Sequence, residues 1–196
     1  MKRVLLVLPN GFEIYEGAVF IDVLGWANSF GSEEIHVVLA GVSKNIGFTF
    51  GGCSLVLDYD LGDVNVDDFD AIAIPGGFES AGFYKEAFSK IVLDTLREFN
   101  RNHKVIASIC VGAIVLAESG ILKGKRATTY SYESETKWVE KIVERGGIIE
   151  KGRVVVDGNI ITSSSPGAAV DVALKLLECI TSLENAKLIK SMMKFD

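Results

Sequence analysis

Short, almost unbroken apolar runs alternate along this chain with longer stretches in which apolar side chains return every three or four positions. RVLLVLP (3–9), IHVVLAGV (35–42), DAIAIPGG (70–77), KVIASI (104–109) and RATTY (126–130) read as strands. Their near-continuous apolar character is what strands covered on both faces require. Residues 16–29, 85–101, 111–119 and 133–146 carry helical spacing; Val19, Val23 and Trp26 recur at about one turn, as do Ile91, Leu93, Leu96 and Phe99. Strand following helix in this order predicts an α/β fold, a mostly parallel sheet with helices on both faces. GFTFGGCSLVLDYDL (47–61) reads as a glycine-broken pair of short strands, and Asp157-Gly158 within 153–167 signals a hairpin. Two helices follow, 167–180 and 182–194. No linker, repeat or low-complexity segment interrupts the pattern, so residues 1–196 are expected to form one domain.

Composition narrows the function classes. The 196 residues carry 20 Lys and Arg against 26 Asp and Glu, a net charge of -6, without a basic run. Nucleic acid and anionic membrane surfaces are therefore not expected partners. The start MKRVLLVLP is basic, but five apolar residues before Pro9 fall short of an export signal. The apolar run 105–117 is shorter than the ~20 residues a bilayer needs. A cytoplasmic protein is expected. Cys53, Cys110 and Cys179 are odd in number, far apart and outside any CxxC or Cys/His ligand spacing. Free thiols are expected, with no disulfide framework, metal or cofactor.

Open parallel sheets bind ligands beyond the carboxyl ends of their strands, and three features fall there. Cys110 ends one strand and begins a helix, among small residues at Ser108, Gly112 and Ala113. That is the setting of a nucleophile elbow, where a helix N-terminus favours the thiolate. The same place also suits an inert core thiol. Pro75-Gly76-Gly77 ends another strand; it fits a plain turn, or a loop whose Gly77 amide forms an oxyanion hole with that of Val111. Glu13 and Glu16 follow the first strand near a helix start. They either complement the helix dipole or place a protonated carboxyl beside Cys110. His103 starts the strand that Cys110 ends, roughly 20 Å away at about 3.3 Å per residue. His36 opens its own strand likewise. No Cys-His dyad is expected within the chain, which argues against a peptidase.

LLVLPNGFEIYEGAVFIDVL, DAIAIPGG, VIASICVGAIVLAESGILKGKRATTY and DGNIITSSSPGAAVDVALKLLE resemble, in order and over nearly the whole chain, the ThiJ/PfpI superfamily. The branch they are most similar to is that of the parkinsonism-linked protein deglycase. The resemblance implies a flavodoxin-like fold, a homodimer, Cys110 as the reactive cysteine, Glu16 as the protonated glutamate, and Gly77 and Val111 as oxyanion amides. Activities in the family range over glyoxalase, deglycase, isocyanide hydratase, peptidase, chaperone and oxidative-stress roles. Several positions depart from the family's branches. Val111 stands where the peptidase branch carries histidine and the isocyanide hydratases threonine. Glu16 stands near where those hydratases carry aspartate. Tyr130 stands where the deglycase branch carries histidine, and a phenol is a poor base at neutral pH. Ser163, Ser164 and Ser165 replace a segment with an arginine, leaving a less cationic rim. Within this length the branch with appended DNA-binding helices is not expected.

The leading expectation is an enzyme that adds Cys110 to a small-molecule electrophile, with Tyr130 and Gly76 in its pocket. The alternative is a sensor or chaperone whose Cys110 oxidises to a sulfinic acid. A scaffold with an incidental thiol is the third.

Overall fold

In the computed structural model, which describes residues 1–42, 46–133 and 136–195, a seven-stranded sheet lies between two helical layers. Its strands are β1 (Lys2–Val7), β2 (Ile35–Gly41), β5 (Tyr59–Asp60), β6 (Ala71–Ile74), β7 (Val105–Ser108), β10 (Val154–Asp157) and β11 (Ile160–Ser163), in the order β10-β11-β7-β6-β1-β2-β5. All neighbours pair in parallel except β10 with β11. Asp157 faces Ile160 across the tight turn that Asp157-Gly158 announced. β3 (Ile46–Phe48) and β4 (Ser54–Val56) are the pair of short strands expected within 47–61, and they pair antiparallel.

Helices α1 (Ile14–Phe30), α6 (Ala169–Ile180) and α7 (Leu183–Met192) pack together on one face of the sheet. On the other lie α2 (Phe83–Ala87), α3 (Lys90–Arg101), α4 (Gly112–Ser119) and α5 (Lys137–Glu144). The layering follows from the pattern. β6 is buried throughout, and α3 buries Val92, Leu96 and Phe99 along one stripe. Fully burying each such side chain contributes about 1.5–3 kcal/mol. Among the described residues no helix is long and apolar enough to cross a membrane.

Three expectations need correction. RATTY does not extend the central sheet: only β8 (Arg126–Ala127) is a strand, paired in parallel with a short β9 (Ile148–Ile149). Beyond it the Thr128 N–H donates to Thr162 Oγ1 and the Thr129 hydroxyl to the Cys110 carbonyl, so side-chain bonds replace a ladder. The stretch 85–101 is two helices, because Ser89 is extended (φ -61°, ψ 149°) between them. The helix expected over 133–146 is the shorter α5; residues 134 and 135 of that stretch lie outside the described residues.

The chain leaves β1 for β2 on one side and for β6 on the other. This switch of direction opens a crevice at the carboxyl ends of β1, β6 and β7.

Candidate active site

The loop after β7 carries Cys110, the loop after β6 carries Gly76 and Gly77, and the loop after β1 leads into the first turn of α1 with Glu13 and Glu16. Cys110 takes a left-handed φ of 57°, which is unusual for a residue with a Cβ. Such a conformation costs about 1–3 kcal/mol and persists where its surroundings hold it. Here the Cys110 carbonyl accepts from Thr129 Oγ1 at 3.0 Å and from the Ala113 N–H at 3.3 Å. Gly112 lets α4 start directly against β6: a Cβ there would lie 2.9 Å from the carbonyl oxygens of both Ile74 and Pro75.

Glu16 is fully buried. Its Oε2 accepts from the Gly76 N–H at 2.5 Å, and a Cβ on Gly76 would come within 2.9 Å of that oxygen. Gly76 thus serves to hold the carboxyl, while Gly77 lines the pocket. Oε1 is buried without a hydrogen bond of complete geometry, although the Cys110 thiol and the Glu13 carboxyl both interact with Glu16.

The electrostatics differ from the sequence expectation of a thiol lowered by the helix N-terminus. Burial pushes the Cys110 thiol well above its ordinary value, and the Glu16 carboxylate pushes it further; the Val111 N–H, which faces the sulfur, opposes both. Burial likewise raises Glu16 to about 8, against the Gly76 hydrogen bond, and the neighbouring Glu13 charge adds to the rise. Glu13 is raised too, chiefly by burial. A carboxylate and a thiolate in contact repel, so the pair sheds one proton far more readily than two.

Cys110, only 6% exposed, forms the floor of a pocket of about 660 Å³. Val111 lies beside it, with Glu13, Glu79, Phe78, Tyr130 and Trp138 around it. His36 pairs with Arg3 near the amino end of β1, and His103 precedes β7, so both histidines lie at the opposite edge of the sheet. Cys53 and Cys179 are exposed. Among the described residues no group of His, Cys, Asp and Glu is arranged to hold a metal ion.

Several parts of the site carried no motif. Glu86 of α2 accepts from both the backbone N–H and the side-chain amide of Asn10, at 2.9 and 2.7 Å, and so fastens the loop after β1. Phe78 stacks on Phe50 with centroids 3.7 Å apart. Trp138 packs on Tyr84 at 5.3 Å. Among the described residues the buried Tyr84 hydroxyl has no hydrogen-bond partner. Phe78 was within reach of sequence reasoning, since it follows the two glycines; Trp138 and Tyr84 read only as helical core positions.

A family model described as the DJ-1/PfpI family matches residues 2–179. Protein dj-1beta of Drosophila melanogaster is 32% identical over 95% of this chain and 93% of its own. The crystal structure of Drosophila DJ-1beta superposes with a TM-score of 0.84 at 30% identity, over 98% of this chain and 97% of that one. A glutathione-independent glyoxalase of Caenorhabditis elegans is 30% identical over 98% of this chain and 95% of its own. An isonitrile hydratase of Pseudomonas putida is 32% identical over 97% and 79%.

Proposed function

Because the chain belongs to the DJ-1/PfpI family, we propose that it is a Cys110-dependent enzyme acting on small carbonyl electrophiles, in the manner of a glyoxalase or deglycase. The observation that carries the reading is the thiol in a left-handed elbow at the floor of a pocket, against a buried carboxyl that burial raises to about 8. A relative whose name is glyoxalase supports it.

Above about pH 8 the Glu16–Cys110 pair lacks one proton. Its reactive form has the proton on Glu16 and the charge on sulfur. The sulfur bonds to the aldehyde carbon of an α-oxoaldehyde as the carbonyl π pair moves onto oxygen. The N–H groups of Gly77 and Val111 meet that oxyanion, and the Glu16 proton passes to it. Glu16, now a carboxylate, takes the C–H proton of the adduct and returns it to the neighbouring carbon, while the adduct's hydroxyl proton moves to the oxygen on that carbon. Water then hydrolyses the resulting thioester to a 2-hydroxy acid, freeing Cys110. No redox partner is needed. Tyr130 on the pocket wall acts as a hydrogen-bonding group, which leaves the base role to Glu16.

The test is multiple-turnover consumption of methylglyoxal or a larger α-oxoaldehyde with 2-hydroxy acid formed, in the wild type and in Cys110→Ser. Equal rates in the two proteins would refute the proposal.

A further inference from the structure

The pocket above Cys110 is large for the smallest electrophiles. A three-carbon dicarbonyl has five heavy atoms and, at about 20–30 Å³ each, near a water molecule's share of its liquid, fills about a fifth of the 660 Å³. The volume lies instead in the range of about 300–1,000 Å³ typical of sites that enclose drug-sized ligands.

Its walls are built from rings. Phe78 is held at the rim by its stack on Phe50, whose N–H donates to the Phe12 carbonyl at 3.0 Å, so the wall is anchored to the loop after β1. Trp138 is 9% exposed and backed by Tyr84 at 5.3 Å. The ammonium groups of Lys137 and Lys141 lie over its ring at 4.5 and 5.4 Å from the centroid. Tyr130 and Pro166 complete the apolar surface. Charge points the same way: among the described residues Glu13 and Glu79 line the pocket against one cation, Lys137. An anionic ligand would be repelled by two acidic neighbours, whereas a neutral one is not.

We infer that the electrophile taken by this site is an uncharged aryl α-oxoaldehyde, its dicarbonyl end on Cys110 and its ring between Phe78 and Trp138. The inference rests on the proposed carbonyl chemistry and adds the group that fills the pocket. Aromatic faces prefer offset or edge contacts with another ring. Even one methylene in an apolar pocket is worth about 10-fold or more in kcat/KM, so replacing a methyl group by a phenyl should exceed that.

The experiment compares phenylglyoxal with methylglyoxal, with the Cys110→Ser rate subtracted to remove reaction at arginine. The wild type should show a kcat/KM at least about tenfold higher for phenylglyoxal. Phe78→Ala, at a partly exposed rim position, and Trp138→Leu should bring the ratio towards unity. Equal or better use of methylglyoxal, or a ratio that neither variant moves, overturns the inference while leaving the carbonyl chemistry standing. Absence of Cys110-dependent turnover with either compound overturns the chemistry instead. The ring site is then read from alkylation of Cys110 by iodoacetamide: saturable protection by acetophenone but not acetone sustains it, and no protection ends it.

Discussion

Replacing Glu16 by Gln should change how the stability of the protein depends on pH. In the folded chain burial holds the Glu16 proton up to about pH 8, whereas the unperturbed group releases it at 4.5. Between those values the folded state binds more protons than the unfolded one, so stability falls as pH rises. Glu16's contribution is fully present below 4.5 and lost above 8. At about 1.36 kcal/mol per pH unit, the whole interval is worth roughly 5 kcal/mol. Glutamine keeps an oxygen for the Gly76 N–H and has no proton to lose. Relative to wild type, Glu16→Gln should gain about 1.4 kcal/mol per unit through the middle of the interval and roughly 3.5 kcal/mol between pH 5 and 8. The assay is urea unfolding followed by circular dichroism at half-unit pH steps, with equal m-values confirming that the denatured states match. Glu13, also raised by burial, interacts with Glu16 and shifts with it, so the same comparison in a Glu13→Gln background isolates Glu16. A difference that stays flat within about 0.5 kcal/mol, the usual spread of an inert surface change, would refute the claim that Glu16 is held protonated.

Other consequences follow from packing. Gly112→Ala would push a methyl group to 2.9 Å from two backbone carbonyls, and should cost about 1–3 kcal/mol in urea unfolding; an unchanged midpoint would mean that α4 does not start so close to β6. The buried Tyr84 hydroxyl has no partner among the described residues, so Tyr84→Phe should stabilise the protein by on the order of 1 kcal/mol. A loss of stability would show that the hydroxyl is hydrogen-bonded.

Much of the architecture was legible because buried parallel strands and one-faced helices leave strong periodic signals. β1, β6 and β7 are continuous apolar runs, and their carboxyl ends locate the crevice before any coordinate is known. The stretch after Arg126 misled because Thr128 and Thr129 have strand propensity, while their bonding is to Thr162 and to the Cys110 carbonyl, contacts that depend on tertiary structure. The break at Phe88–Ser89 carries no proline or glycine to announce it. At the site, Cys110 and Glu16 stood out through spacing and resemblance. Their electrostatics did not: a helix N-terminus favours the thiolate, but burial and a neighbouring carboxyl outweigh it here. The pocket walls were hidden for a similar reason, since Trp138 and Tyr84 come from separate helices and meet only in the folded chain.

The central claim is that Cys110 and Glu16 share one labile proton, and the most direct test is the alkylation rate of Cys110 against pH, read by peptide mass spectrometry with exposed Cys53 and Cys179 as internal controls. The account predicts a rate that rises about tenfold between pH 7 and 9 with its midpoint at about 8, and loss of that midpoint in Glu16→Gln. A Cys110 rate already level below about pH 6.5, or identical curves for the two proteins, would contradict it.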